Sequence, residues 1–145
     1  DEAQNLKPSL LEQVRLLSNL ETEKEKLLQI ILVGQPELRE KLASRELKQL
    51  RQRIAIRYHI APLSRREVDS YISHRLNVAG CNNNDLFHKD AIEEIFKFSG
   101  GIPRLINIAC DKSLLAGYIG DKKTIDANMA IKCIKEIEGV FDEYC

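Results

Sequence analysis

The chemistry available to this chain of 145 residues is concentrated at a few places. Asp1-Glu2 is a pair of adjacent carboxylates, which by themselves are most often solvated surface. Gln35 follows the apolar run Leu27-Leu28-Gln29-Ile30-Ile31-Leu32-Val33 and Gly34. Its amide can donate and accept at once, and its plainest reading is a loop residue capping the helix that restarts at Pro36. From Arg39 to Arg57 the bases Arg39, Lys41, Arg45, Lys48, Arg51, Arg53 and Arg57 face only Glu40 and Glu46. Such a stretch suits phosphate contacts, and it is also how a solvated helix face looks. Lastly, Gly100-Gly101-Ile102-Pro103-Arg104 puts an arginine in the first turn of a helix opened by proline, near its positive end.

Other chemistries find no constellation. His59, His74 and His88 fall on a strand, a helix and a loop, so a shared metal site would be a coincidence. Cys81, Cys110, Cys133 and Cys145 form no C-x-x-C pair, and reduced thiols of a cytosolic protein are the expectation. No serine or cysteine stands in a nucleophile elbow or Cys-His setting. The 22 basic and 22 acidic side chains cancel, which argues against a surface wholly tuned to nucleic acid. A 43% hydrophobic and 30% charged composition is that of a soluble globular protein and excludes collagen-like and disordered classes. No apolar run approaches the roughly 20 residues of a membrane helix, and no basic-then-apolar leader opens the chain.

The elements that would position these residues change character at Pro62. Before it, Pro8 opens a helix with Leu10, Leu11, Val14, Leu17 and Leu20 on a buried face, followed by a charged connector over Glu21 to Lys26. Leu27–Val33 reads as a strand covered on both faces, as in a parallel sheet. Helical segments follow with Leu38 and Leu42, then Leu47, Leu50 and Ile54. Alternation of Ile54, Ile56, Tyr58 and Ile60 with Ala55, Arg57 and His59 predicts a half-buried strand. Beyond Pro62 the pattern predicts four helices. Ser64-Arg65-Arg66-Glu67 has the form of a capping box, and the first helix carries Val68, Tyr71, Ile72, Leu76 and Ala79 before Gly80. A polar turn, Cys81 to Asp85, leads to the second helix, with Ile92, Ile95 and Phe96. The third runs from Pro103 to Gly120 with Leu105, Ile106, Ala109 and Ala116 inward, and the last from Asp126 to Gly139 on Met129, Ala130, Cys133, Ile134 and Ile137.

This order resembles the AAA+ ATPases from their second acidic motif onward. In detail, Leu32-Val33-Gly34-Gln35-Pro36-Glu37-Leu38, Leu50-Arg51-Gln52-Arg53-Ile54, Arg57-Tyr58-His59 and Gly100-Gly101-Ile102-Pro103-Arg104-Leu105-Ile106-Asn107 resemble the general secretion pathway protein A family, from Asp1 to about Gly139. The resemblance implies an α/β fragment of a P-loop AAA+ core over residues 1–62, a helical lid over 63–140 and a tail over 141–145. It implies that Asp1 and Glu2 are the Walker B acids, Asp1 holding magnesium through water and Glu2 polarising the water that attacks the terminal phosphate. Gln35 falls at the sensor 1 position. Arg53, with Arg51 and Arg57 as rivals, falls where an arginine finger reaches a neighbouring subunit's nucleotide. Arg104 matches the sensor 2 arginine of the lid.

No Gly-x-x-x-x-Gly-Lys-Ser/Thr loop occurs, so this chain offers no cradle for the α and β phosphates and is not expected to hydrolyse ATP or to hold it tightly alone. The resemblance implies a larger cytoplasmic ATPase, possible anchoring at the inner membrane aside, that uses ATP and Mg²⁺. It would associate with copies of itself and a membrane partner to help assemble a type II secretion apparatus. Exposed edges of the two strands would also favour self-pairing. Two other readings stand beside it: a nucleic-acid-associated AAA+ module of transposition or helicase-loader type, using the Arg39 to Arg57 stretch, and a non-catalytic helical interaction domain.

Overall fold

The computed structural model describes residues 1–20, 27–81 and 85–142. The connector expected over 21–26, residues 82–84 of the polar turn expected from Cys81 to Asp85, and residues 143–145, including Cys145, lie outside the described residues. The chain divides into two compact units, Asp1–His59 and Ile60–Cys145.

The first unit begins with a 3-10 turn at Ala3–Asn5 and continues through α1 (Pro8–Leu17), α2 (Glu37–Ala43) and α3 (Lys48–Arg53). Pro8 occupies the first turn of α1, where its missing N–H costs no helical bond. Leu11, Leu47 and Leu50 form the buried centre of this unit, with Leu6, Leu32, Leu42 and Ile54 packed around it. The leucine stripe of α1 is less covered than its spacing predicts. Leu11 is buried, but Leu10, Leu17 and Leu20 are exposed.

Neither strand expected in this unit forms: among the described residues the structure is mostly helical, in place of the α/β arrangement. A strand exists only through a ladder of bonds to a neighbour. Among the described residues Leu27–Val33 takes part in two backbone bonds toward the chain start, from the Leu27 N–H to the Leu20 carbonyl at 3.1 Å and from the Ala3 N–H to the Val33 carbonyl at 2.9 Å, which make no ladder. The segment lacks the cover on both faces that its apolar run anticipates, and Ile31 is 74% exposed. At Ile54–Ile60 the alternation is intact but its apolar side faces solvent beyond Ile54, with Ile56, Tyr58 and Ile60 more than 80% exposed.

The second unit holds α4 (Arg65–Val78), α5 (Lys89–Ser99), α6 (Pro103–Ile119) and α7 (Ala127–Asp142). Ser64 starts α4 with a capping box. Its backbone N–H and hydroxyl donate to Glu67 Oε2 at 2.8 and 2.7 Å, while its side chain accepts from the Glu67 backbone. These two donors hold the Glu67 carboxyl below its ordinary range, the hydroxyl contributing most. Val68, Ile72, Ile92, Ile95, Ile106, Ala109, Ile125, Ile134 and Ile137 belong to one continuous core. Across it, Tyr71 donates to Asn107 at 3.1 Å, and Arg65 pairs with Glu93 at 2.6 Å.

Two details depart from the pattern. On α6 the buried face is Ile106, Ala109, Ser113 and Gly117, while Leu105 and Ala116 are half-buried. Gly117 belongs there because a Cβ on it would lie 2.6 Å from Ile125 Cδ1. The last helix runs past Gly139 to Asp142. An exposed glycine inside a helix costs only about 1 kcal/mol, which packing of the preceding turns offsets.

Candidate functional site

Asp1, Glu2 and Gln35 share one corner of the first unit. The Ala3 N–H donates to the Val33 carbonyl at 2.9 Å, and the Gln35 N–H donates to Gln4 Oε1 at 3.2 Å, so the turn after the acid pair lies against the turn after the apolar segment. Gly34 permits this approach: a Cβ there would lie 2.7 Å from Gln4 Oε1 and 3.0 Å from Leu38 Cδ2. Lys41 of α2 closes the corner by donating to the Gln4 carbonyl and, at 3.0 Å, to the Leu6 carbonyl. Ala3 is buried at the centre of this contact, while Asp1, Glu2 and Gln35 are exposed.

The acid pair has local structure of its own. Asp1 Oδ1 accepts from the Glu2 N–H at 2.8 Å. Glu2 adopts φ 52° and ψ 36°, a left-handed conformation uncommon for a residue with a side chain, and its carbonyl accepts the Asn5 N–H at 2.9 Å to form the 3-10 turn. Asn5 Nδ2 also reaches Glu2 Oε2 at 3.4 Å. Exposed carboxylates are oxygen donors of the kind a hard divalent cation takes, but no group of three or more His, Cys, Asp or Glu side chains among the described residues is placed to hold one. The chain supplies no phosphate-cradling loop to complete such a centre.

The arginines of the basic stretch divide by their partners. Arg51 Nη1 donates to the Ala43 carbonyl at 2.8 Å, and Arg57 Nη2 to the Arg51 carbonyl at 2.9 Å. Arg53, at the exposed end of α3, makes no hydrogen bond or ion pair among the described residues. Lys41 is committed to the corner described above. Thus three of the seven bases are engaged with carbonyls of their own unit.

Arg104 belongs to the second unit, exposed in the first turn of α6. The turn before it is tightly specified. Gly100 and Gly101 have φ of 54° and 81°, and a Cβ on Gly101 would stand 2.0 Å from the Leu63 carbonyl oxygen. Leu63 donates its N–H to the Gly101 carbonyl at 2.9 Å, and buried Ser99 Oγ accepts the Gly101 N–H at 3.3 Å. The histidines remain on separate elements: His59 ends the first unit, His74 lies on α4 and His88 precedes α5.

Gln4, Gly34 and Lys41 are the residues of the corner that spacing did not single out. The signal for Gly34 was its position between an apolar run and Gln35. Gln4 and Lys41 act through backbone carbonyls and amides, which leave no trace in residue pattern.

The profile of a family described as an AAA domain matches residues 1–42, the span that contains the acid pair, Gln35 and Lys41. The chain is 48% identical over 144 residues to the General secretion pathway protein A of Aeromonas hydrophila, an overlap of 99% of this chain and 26% of that protein. The chain therefore spans about a quarter of the length of the curated relative that it matches. No solved structure matches it. The similarity to general secretion pathway protein A read from the short motifs thus extends along essentially the whole chain.

Proposed function

We propose that these residues are the later half of an AAA+ ATPase core followed by its helical lid. The whole protein, cytoplasmic and able to associate at the inner membrane, would couple ATP binding and hydrolysis to assembly of a type II secretion apparatus. The observation that supports this reading most is the corner that brings Asp1 and Glu2 against Gln35. In this reading Asp1 would hold Mg²⁺, Glu2 would polarise the attacking water, and the Gln35 amide, able to donate and accept, would orient that water. Leu27–Val33 and Ile54–Ile60 become sheet strands when neighbouring strands cover them, which accounts for their exposed apolar side chains. Bound ATP and magnesium supply the transferable phosphoryl group and its neutralising charge.

Arg53 is the finger in this reading, because Arg51 and Arg57 are held by their own unit's carbonyls while Arg53 is free to reach a second copy. Its planar fork spreads over phosphate oxygens as charge develops. Arg104 contacts the nucleotide from the lid, at a helix N-terminus that favours anions. Self-association through the AAA+ interface and contact with a membrane partner of the secretion machinery complete the picture. The nucleic-acid reading is less favoured, since Lys41, Arg51 and Arg57 are turned to internal carbonyls.

The test is Glu2→Gln in the full-length protein. Nucleotide binding should persist while turnover falls by at least about 100-fold, in line with loss of general-base assistance. Undiminished hydrolysis removes the assigned base.

A further inference from the structure

The groups that fix the acid-pair corner are distinct from those with a role in hydrolysis. Besides the backbone bond from Ala3 to Val33, three side-chain bonds cross it. Gln4 Oε1 accepts the Gln35 backbone N–H, and Lys41 donates to the carbonyls of Gln4 and Leu6. An ammonium group has three donors, so a single Lys41 can fasten two points of the N-terminal turn to α2. Gln4 then has its backbone tied to α2 and its side chain tied to the Gln35 turn. The missing side chain at Gly34 leaves room for the Gln4 amide between that turn and Leu38.

We infer that Gln4 and Lys41 are positioning residues for hydrolysis, which set the register between the carboxylates of Asp1-Glu2 and the amide of Gln35. This rests on the reading of those three residues given above. The corner is exposed, and its two turns are joined otherwise by one backbone bond, from Ala3 to Val33. Without the Gln4 and Lys41 bonds, the turns can slide while each keeps its own conformation. An error of about 1 Å between reacting groups is enough to cost on the order of 100-fold in rate. Because α2 also packs on α3, the Lys41 bonds link the acid pair to the element that ends in Arg53. A shift of that element on subunit contact therefore reaches the water-activating groups through Lys41.

In the full-length ATPase, Gln4→Met and Lys41→Met keep side-chain length but remove the acceptor and the donors. Each is expected to lower kcat roughly 10- to 100-fold, with KM for ATP changed less than about twofold. Lys41→Arg, which retains donors, should recover most of kcat. In a Gln35→Ala background Gln4→Met should lower kcat little further, because both changes affect one step. Unchanged kcat in both Met variants overturns the proposal, as does a fall in thermal stability and rise in KM with kcat preserved, or full multiplicative effects with Gln35→Ala. If Gln4→Met does not fold, Gly34→Ala displaces the same amide and should show the same kcat loss; normal kcat there also overturns it. Failure of the underlying reading is distinguishable, since Glu2→Gln and Gln35→Ala would then leave turnover intact.

Discussion

The two units bury their apolar side chains to different degrees. In the second, four helices enclose one core running from Val68 to Ile137, with the termini of α4, α5 and α6 defined by a capping box, glycines and a proline. The first encloses a cluster of Leu11, Leu47 and Leu50 with Leu38 and Ala3 also buried, and leaves Leu27, Ile31, Ile56 and Tyr58 more than 60% exposed. Helices satisfy their backbone internally, so a helical unit needs only its own faces to be complete. Sheet strands depend on neighbours for every ladder bond, and the extended segments of the first unit have no such neighbours among the described residues. The catalytic candidates of the first unit therefore sit on the part whose burial is least complete within these 145 residues.

The largest test of this difference is a pair of truncations. Ile95→Ala should destabilise the second unit by about 3 kcal/mol through its lost contacts and cavity. Ile56→Ala should change stability by less than about 0.5 kcal/mol, as for an exposed side chain. Urea unfolding followed by hydrogen exchange in each unit reads both, and comparable losses would break the contrast.

A sharper test uses the thiols. Burial, reinforced by Asp111, pushes the half-buried Cys110 thiol up from 9.0 to about 12. In native protein at pH 8 it should react with iodoacetamide about 100-fold or more slower than an unperturbed thiol, because the thiolate is the nucleophile. The sign for stability follows. The unfolded chain loses this proton near pH 9 and the folded chain near 12, so stability falls as pH rises through that window. Cys110→Ala should flatten this alkaline slope. Rapid native labelling would show the second unit to be more open than its core indicates.

The smallest effect belongs to the Ser64 cap. Glu67 titrates below its unfolded value, so its contribution is present above that value and is lost as pH falls through the folded one. Ser64→Ala should lower the unfolding midpoint at pH 7, and its deficit against the parent should shrink under acid conditions. A deficit independent of pH would separate the serine from the Glu67 carboxyl.

The contrast also explains what could be read from residues alone. The helices of the second unit were legible because Ser64, Gly100, Pro103 and Gly120 mark ends whose chemistry is local. Ser113 and Gly117 were missed on α6 because a search for apolar spacing passes over small residues, although the close approach of Ile125 requires one. Leu27–Val33 and Ile54–Ile60 misled because strand periodicity records what a segment can pair with, while pairing depends on residues elsewhere. At the candidate site, Asp1, Glu2, Gln35, Arg53 and Arg104 were singled out by motif. Arg53 was already preferred there over its rivals Arg51 and Arg57; what residue pattern could not show is that Arg51 and Arg57 donate to backbone carbonyls of their own unit.

The contact between Leu63 and Gly101 has a mechanical consequence. With the Leu63 N–H bonded to the Gly101 carbonyl and no room for even a methyl group between the two backbones, the chain entering the second unit is clamped to the corner that opens α6. A side chain at position 101 would therefore displace the residues that lead into α4 and the turn that opens α6 together.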